Sequence, residues 1–200
     1  MLMSTKSLKT PLRYPGGKSK AIKTLSQWYP KNISDSDKNI LIEDIFYSKD
    51  LHDNKKNSVG VNENFLVVRD RAKILKKIYH KILNTCESLF EKIDISDNNS
   101  DKCWSLCTNK DYWESVPHDH IKTSTINTVY YLQVPKIDNQ FCGMIRFLID
   151  GKWNDYQPQP NELIIIPNNL VHDTTFHDTE EWRISLNFEI TTKNKLYIKQ

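Results

Sequence analysis

Glycine is scarce in this chain, five residues in 200, and two of the five stand side by side at Gly16 and Gly17. Glycine-rich flexible tracts are thereby excluded, and no internal repeat or other low-complexity segment interrupts the sequence. Charge of one sign is also missing. The 28 basic and 25 acidic residues are interspersed and leave a net charge of +3, so bulk charge gives nucleic-acid binding no support. No apolar run approaches the ~20 residues that a membrane-spanning helix needs, and a soluble protein with no membrane partner is expected. The four cysteines, Cys86, Cys103, Cys107 and Cys142, form no C-x-x-C pair and follow no secretory leader. Reduced, buried thiols in a cytoplasmic protein are therefore expected, not a disulfide framework. At 23.5 kDa the chain can hold one well-cored domain with a short appendage, but hardly two enzymes.

What is present divides at about residues 31–38, where "WYPKNISDSD" reads as a polar boundary. Beyond it, "ILIEDIFYSKDL" reads as a short apolar run followed by a turn. The apolar spacing of Val68, Leu75, Ile78, Ile82, Cys86 and Leu89 predicts one long amphipathic helix, or two, over roughly residues 63–93. Its lysines belong on the solvated face opposite the core. From residue 101 the texture becomes short β-rich runs, "KCWSLCTN", "INTVYYLQV", "GMIRFLI", "ELIIIP", "HDTTF" and "WRISLNFEI", parted by Pro, Asn, Asp and Gly turns. Strands at this spacing predict a sandwich or double-sheet jelly roll with the helix across one outer face.

The opening stretch pulls another way. "PLRYPGGKSKAI" resembles the first motif of Dam-type DNA adenine methyltransferases, in which a glycine turn lets the backbone approach S-adenosylmethionine. The likeness covers only some 25 residues. Nowhere in the chain is there the D-P-P-Y motif that such an enzyme uses at a flipped base, nor the alternating strands and helices of a doubly wound sheet. Residues 1–33 are accordingly read as a non-catalytic methyltransferase-like fragment, and S-adenosylmethionine is not an expected cofactor.

The second half carries a histidine constellation. "WESVPHDHIKTSTINTVYYLQVP" is followed after some forty residues by "PQPNELIIIPNNLVHDTTFHDTEEWRISLNFEI". Over residues 101–190, a P-H-x-H segment, a Y-Y-L strand, an apolar run ending in proline, a lone His and a terminal R-x-S strand follow one another. In order and spacing they resemble the iron(II) and 2-oxoglutarate-dependent oxygenases, in particular the prolyl-hydroxylase-like group of bacteria and phages. The chemistry of the residues agrees. Residues i and i+2 of an extended segment project to one side, so His118 and His120 can reach a single metal ion while Asp119 points away. His172, from a distant strand, would close that face and leave the other side open for an oxo-acid and oxygen. The commonest pattern in the wider superfamily has a carboxylate where His120 stands; Asp119 could supply it if the segment is bulged, and both readings stay open here. His177, in the polar turn "FHDTEEW", is expected to be exposed and not a ligand.

In "WRISLNF", Arg183, Ser185 and Asn187 fall on one face, and Trp182, Ile184, Leu186 and Phe188 on the other. With a helix covering the apolar face, the polar face would line the barrel interior, where an Arg needs an anion. The resemblance implies that this anion is the distal carboxylate of 2-oxoglutarate, held by Arg183 with Ser185 assisting and Tyr131 as a third contact; Tyr130 faces the opposite way and reads as packing.

The expected protein is thus mainly β with helical support: a double-stranded β-helix (jelly-roll) domain over residues 34–200 behind an appendage of residues 1–33. By resemblance it is a dioxygenase with iron(II) and 2-oxoglutarate as cofactors, a hydroxylase whose primary substrate (protein, nucleic acid or small molecule) the sequence does not name. Its place would be the cytoplasm, the host's if the chain is phage-encoded. The competing readings are a cupin-like metal-binding protein without turnover and a truncated methyltransferase-related protein.

Overall fold

A computed structural model describes residues 33–51, 58–59, 69–96, 102–113, 115–136 and 142–197. Two helices come first, α1 (Asp35–Leu51) and α2 (Arg69–Leu89), with a two-residue strand, β1 (Ser58–Val59), between them. Seven strands follow: β2 (Lys102–Thr108), β3 (Ile126–Gln133), β4 (Ile145–Ile149), β5 (Lys152–Tyr156), β6 (Leu163–Pro167), β7 (His172–Thr174) and β8 (Arg183–Ile190). They form two antiparallel sheets, a larger one in the order β1-β2-β8-β3-β6 and a smaller one in the order β5-β4-β7. This is the expected jelly roll. The methyltransferase-like stretch, residues 8–30, lies outside the described residues.

The larger sheet has two apolar faces because its strands alternate between two different interiors. Ile184, Leu186, Phe188 and Ile190 of β8 pack with Tyr130, Leu132, Leu163 and Ile165 against Leu75, Ile78, Ile82 and Cys86 of α2 and Leu41 and Ile45 of α1. The opposite face, with Val129, Tyr131, Ile164 and Ile166, meets Ile145, Phe147 and Ile149 of the smaller sheet. Strand β8 is consequently buried along its whole length. Its polar residues face neither water nor the helices; they face the space between the sheets.

Helix α2 keeps its lysines Lys73, Lys76 and Lys77 exposed, the solvated face expected of an amphipathic surface helix. Its described span ends at Leu89, short of the predicted residue 93. The "ILIEDIFYSKDL" run is a correction: it is helix, not an apolar run and a turn. The Ser34 Oγ accepts the Asp37 N–H at 3.0 Å and caps the first turn, where Asp35 and Asp37 also favour the positive end of the helix dipole. Three consecutive apolar residues, Ile40 to Ile42, hide the helical period, because Ile40 stays exposed while Leu41 and Ile45, one turn apart, enter the core. Strand β5 is a second departure from the expected strands. It pairs with β4 through the two-residue turn Asp150-Gly151, both at positive φ (51° and 73°), and Asp-Gly between two extended runs was its signal.

The four cysteines are buried thiols, and burial pushes Cys86 up to about 12. Among the described residues no helix is long and apolar enough to cross a membrane.

Because Ile82 is 1% exposed where α2 meets the larger sheet, Ile82→Ala should cost about 2–5 kcal/mol in urea denaturation through the cavity it leaves. Lys76→Ala, on the solvated face, should change stability by less than about 0.5 kcal/mol. Similar losses from both would mean that α2 does not cover the sheet.

Candidate metal centre and anion pocket

Two backbone hydrogen bonds start the site. The His118 N–H donates to the His172 carbonyl at 3.1 Å, and the His172 N–H returns one to the His118 carbonyl at 3.0 Å. The 115–118 segment thus lies along β7 as if it were one more strand of the smaller sheet. Asp173 locks it there from the far side of β7: its buried carboxylate accepts the Ser115 hydroxyl, the Val116 N–H at 3.0 Å and Arg146 Nη2 at 2.8 Å. Burial alone would raise the Asp173 carboxyl; the Ser115 and Arg146 hydrogen bonds outweigh it and hold the group below the usual carboxylate range. The His120 N–H donates to Asn168 O at 2.7 Å and turns the chain inward two residues later.

The result brings His118, His120 and His172 together, with ring centroids 4.6 to 5.1 Å apart and one nitrogen from each within 4.8 Å of the others. His120 and His172 are buried; His118 is exposed and marks the open side. Each Nδ1 already has an acceptor: Val116 O for His118 (2.6 Å), Leu170 O for His172 (2.9 Å) and Glu189 Oε1 for His120 (2.6 Å). Carbonyls and carboxylates only accept, so these partners assign the proton to Nδ1 and leave all three Nε2 lone pairs for a metal. Burial draws His172 down to about 4, with His118 and His120 adding to the effect, so its imidazole is neutral and able to ligate throughout the neutral range. Asp119 stays out of the group: it is exposed, and its carboxylate accepts the Ile121 N–H at 3.2 Å.

The second part of the candidate site is a cation without a counter-ion among the described residues. Arg183 is 2% exposed on the inner face of β8, and its Nη2 donates to the Tyr131 hydroxyl at 2.9 Å while Nε and Nη1 have no partner among the described residues. Burial raises the Tyr131 phenol, opposed by Arg183, so it remains a neutral O–H whose own proton is available to an acceptor. Ser185 is buried two residues along the same face, and Tyr130, on the other face, donates instead to Asn161 at 3.3 Å. A buried guanidinium with idle donors costs free energy unless an anion completes it.

His177 departs from expectation. It is fully buried, with Nε2 at 3.0 Å from the Thr108 hydroxyl and Nδ1 unpartnered among the described residues. Its turn is polar in sequence but is strapped across the barrel by hydrogen bonds from Gly143 N to Phe176 O, from Thr175 N to Met144 O and from Lys110 N to Thr179 O. Thr108 and Arg183 are cross-strand partners, so His177 sits beside the anion pocket; it is not part of the histidine cluster. Glu189, the partner of His120, was also not singled out, although the alternation that turned Arg183, Ser185 and Asn187 inward extends to it.

No protein-family profile matches the chain, and no curated protein matches it. Solved structures do. A prolyl-4-hydroxylase of Pseudomonas putida aligns at 11% identity with a TM-score of 0.54, over 80% of this chain and 82% of that one. A prolyl 4-hydroxylase of Phytophthora capsici aligns at 12% identity and 0.58, over 90% of this chain and 70% of that one. The prolyl hydroxylase of Trichoplax adhaerens, solved with a peptide fragment of hypoxia inducible factor, aligns at 13% identity and 0.55, over 79% of both chains. Their fold is the fold of this chain. The comparisons lend the methyltransferase-like opening no support.

Burial draws both His172 and His177 from about 6.5 to about 4. Between those values the unfolded chain takes up protons that the folded chain refuses, so stability should fall as the metal-free protein is taken from pH 6.5 toward pH 4. His177→Gln should make that fall shallower in urea titrations at several pH values. An unchanged slope would mean that His177 is not held neutral.

Proposed function

We propose that residues 34–200 form an iron(II)- and 2-oxoglutarate-dependent dioxygenase that hydroxylates a substrate. The observation that carries this reading is one shared interior holding three imidazoles with free Nε2 lone pairs and a buried Arg183 with two idle donor nitrogens. The proposed co-substrate is an anion with two ends. One end completes Arg183, and the other shares the metal with the histidines on the side they leave open.

The donor set fits the group. His118, His120 and His172 would hold iron(II), which when bound supplies the redox chemistry that splits oxygen between the oxo-acid and the substrate. The chain's own contribution is placement. Arg183 offers Nε and Nη1, Tyr131 its remaining hydroxyl proton and Ser185 its hydroxyl to the distal carboxylate. Together they fix which end of the co-substrate faces the histidines. Val129, Ile164 and Ile166 line the same interior and exclude water beside the polar groups, which strengthens each charge-assisted bond. His118 lies on the exposed rim, so a primary substrate reaches the metal from that side. The Trichoplax structure contains a peptide, which makes an extended peptide the first substrate class to screen.

Iron content and 2-oxoglutarate turnover test the reading together. Iron binding with no decarboxylation of 2-oxoglutarate in the presence of any peptide, nucleic-acid or small-molecule substrate would leave a cupin-like metal protein. Deletion of residues 1–33, which stops before the Ser34 cap of α1, should leave both properties intact; adenine methylation lost on that deletion would restore the methyltransferase reading.

Arg183→Lys keeps a charge but loses the fork that meets a carboxylate through two parallel bonds. One charge-assisted hydrogen bond is worth about 1.5–3 kcal/mol, so 2-oxoglutarate should bind about ten- to a hundredfold more weakly, with iron retained. Arg183→Ala should weaken it further, and Ser185→Ala less than either. Titration of the anaerobic iron protein by its charge-transfer absorbance reads all three. Wild-type affinity in Arg183→Ala would place the anion elsewhere.

A further inference from the structure

The cluster offers three imidazole ligands and, among the described residues, no carboxylate, so a divalent ion bound there would meet no negative charge at first contact. Buried charge of that kind is costly unless something nearby offsets it. The carboxylate of Glu189 stands one bond further out. It is 5% exposed, it is fixed on the central strand β8 with Asn127 of β3 as its cross-strand partner, and its Oε1 lies 2.6 Å from His120 Nδ1. The Thr123 hydroxyl donates to the same oxygen at 2.9 Å, which fixes the carboxylate and leaves its other oxygen outside this contact. The carbonyl partners of His118 and His172 carry no net charge, so His120 differs from them in kind. His120 is also the residue that occupies the position at which the wider pattern has a carboxylate.

We propose that Glu189 is a positioning residue that supplies the missing ligand charge through His120, so that His120 and Glu189 together act as the anionic ligand of this metal site. A carboxylate accepting from Nδ1–H fixes the tautomer that presents Nε2 and raises the electron density at that nitrogen. The charge reaches the metal through the imidazole ring, and the ring keeps the carboxylate itself out of the coordination sphere. The inference rests on the histidine cluster being the metal site, which is half of the dioxygenase reading, and it requires nothing of Arg183 or 2-oxoglutarate.

Co(II) titration of metal-free protein, followed by its visible absorbance without 2-oxoglutarate, separates charge from structure. Glu189→Gln keeps the shape and removes the charge, and should weaken Co(II) by about ten- to a hundredfold. A side chain with a merely structural role would cause that loss whatever residue stands at position 120. In a His120→Asp background the ligand charge is restored directly and Glu189 becomes a like-charged neighbour, so there Glu189→Gln should leave Co(II) affinity unchanged or increase it. With iron, Glu189→Gln should also raise the Fe(III)/Fe(II) potential, because less negative charge favours the reduced ion. Wild-type affinity in Glu189→Gln, or an equal loss in both backgrounds, overturns the proposal. A protein that shows this pattern but turns over no 2-oxoglutarate retires the dioxygenase reading and leaves this one standing; a protein that binds no Co(II) removes both.

Discussion

Strand β8 has no solvent-facing side, and the rest of the molecule is arranged around that constraint. A strand buried on both faces must find partners for two unlike sets of side chains. Its even-numbered residues, Ile184 to Ile190, are satisfied by the helices, and its odd-numbered ones, Arg183, Ser185, Asn187 and Glu189, are left to the space between the sheets. Without α1 and α2 the outer face would meet water and the sheet would lose its main apolar contact. Without the smaller sheet the inner polar residues would simply be solvated. The helices therefore stabilise the fold, and the smaller sheet encloses the polar face of what would otherwise be an ordinary amphipathic strand.

The inner face is also polarised along its length. Arg183 opens the strand and Glu189 nearly closes it, six positions and about 20 Å of backbone apart at the usual rise. A cation-seeking group and an anion-seeking group are thus held at fixed separation by one rigid element. Both ends converge through long side chains: Arg183 onto Tyr131 of the neighbouring strand, Glu189 onto His120 of the segment across the barrel. The smaller sheet contributes His172 and, by pairing, His118. Each sheet alone holds half of the constellation.

That division explains what could be read in the sequence. His118 and His120 are two apart in an extended stretch, and Arg183 and Ser185 are two apart in a strand, so local periodicity was enough to place each pair on one face. The alternation of "WRISLNFEI" was ambiguous on its own, since a half-solvated strand alternates in the same way; only the helices on its outer side decide that the polar face is interior. Glu189 and His177 were illegible for a different reason. Their roles are set by partners 69 residues away, Thr108 for His177 and His120 for Glu189, and no spacing rule reaches that far. The Gly16-Gly17 motif is the opposite case, a local likeness without the D-P-P-Y motif or the alternating strands and helices that would give it work to do.

Buried polar groups without a protein partner carry a cost. Arg183 Nε and Nη1, His177 Nδ1 and Asn187 Nδ2 all lie buried without a partner among the described residues, and such groups cost about 1–3 kcal/mol each. A fold selected for stability alone would fill the same space with Leu and Ile, as its outer cluster does. The outer cluster, where Ile82, Cys86, Leu186 and Phe188 pack, lies on the opposite face of the larger sheet from the inner one. A ligand that satisfies the idle donors would recover their cost on binding, and so stabilise the folded state in proportion to its occupancy. An inner face of β8 that gained stability from a bound ligand would meet the thermodynamic condition for a binding site, the reverse of what a structural core requires.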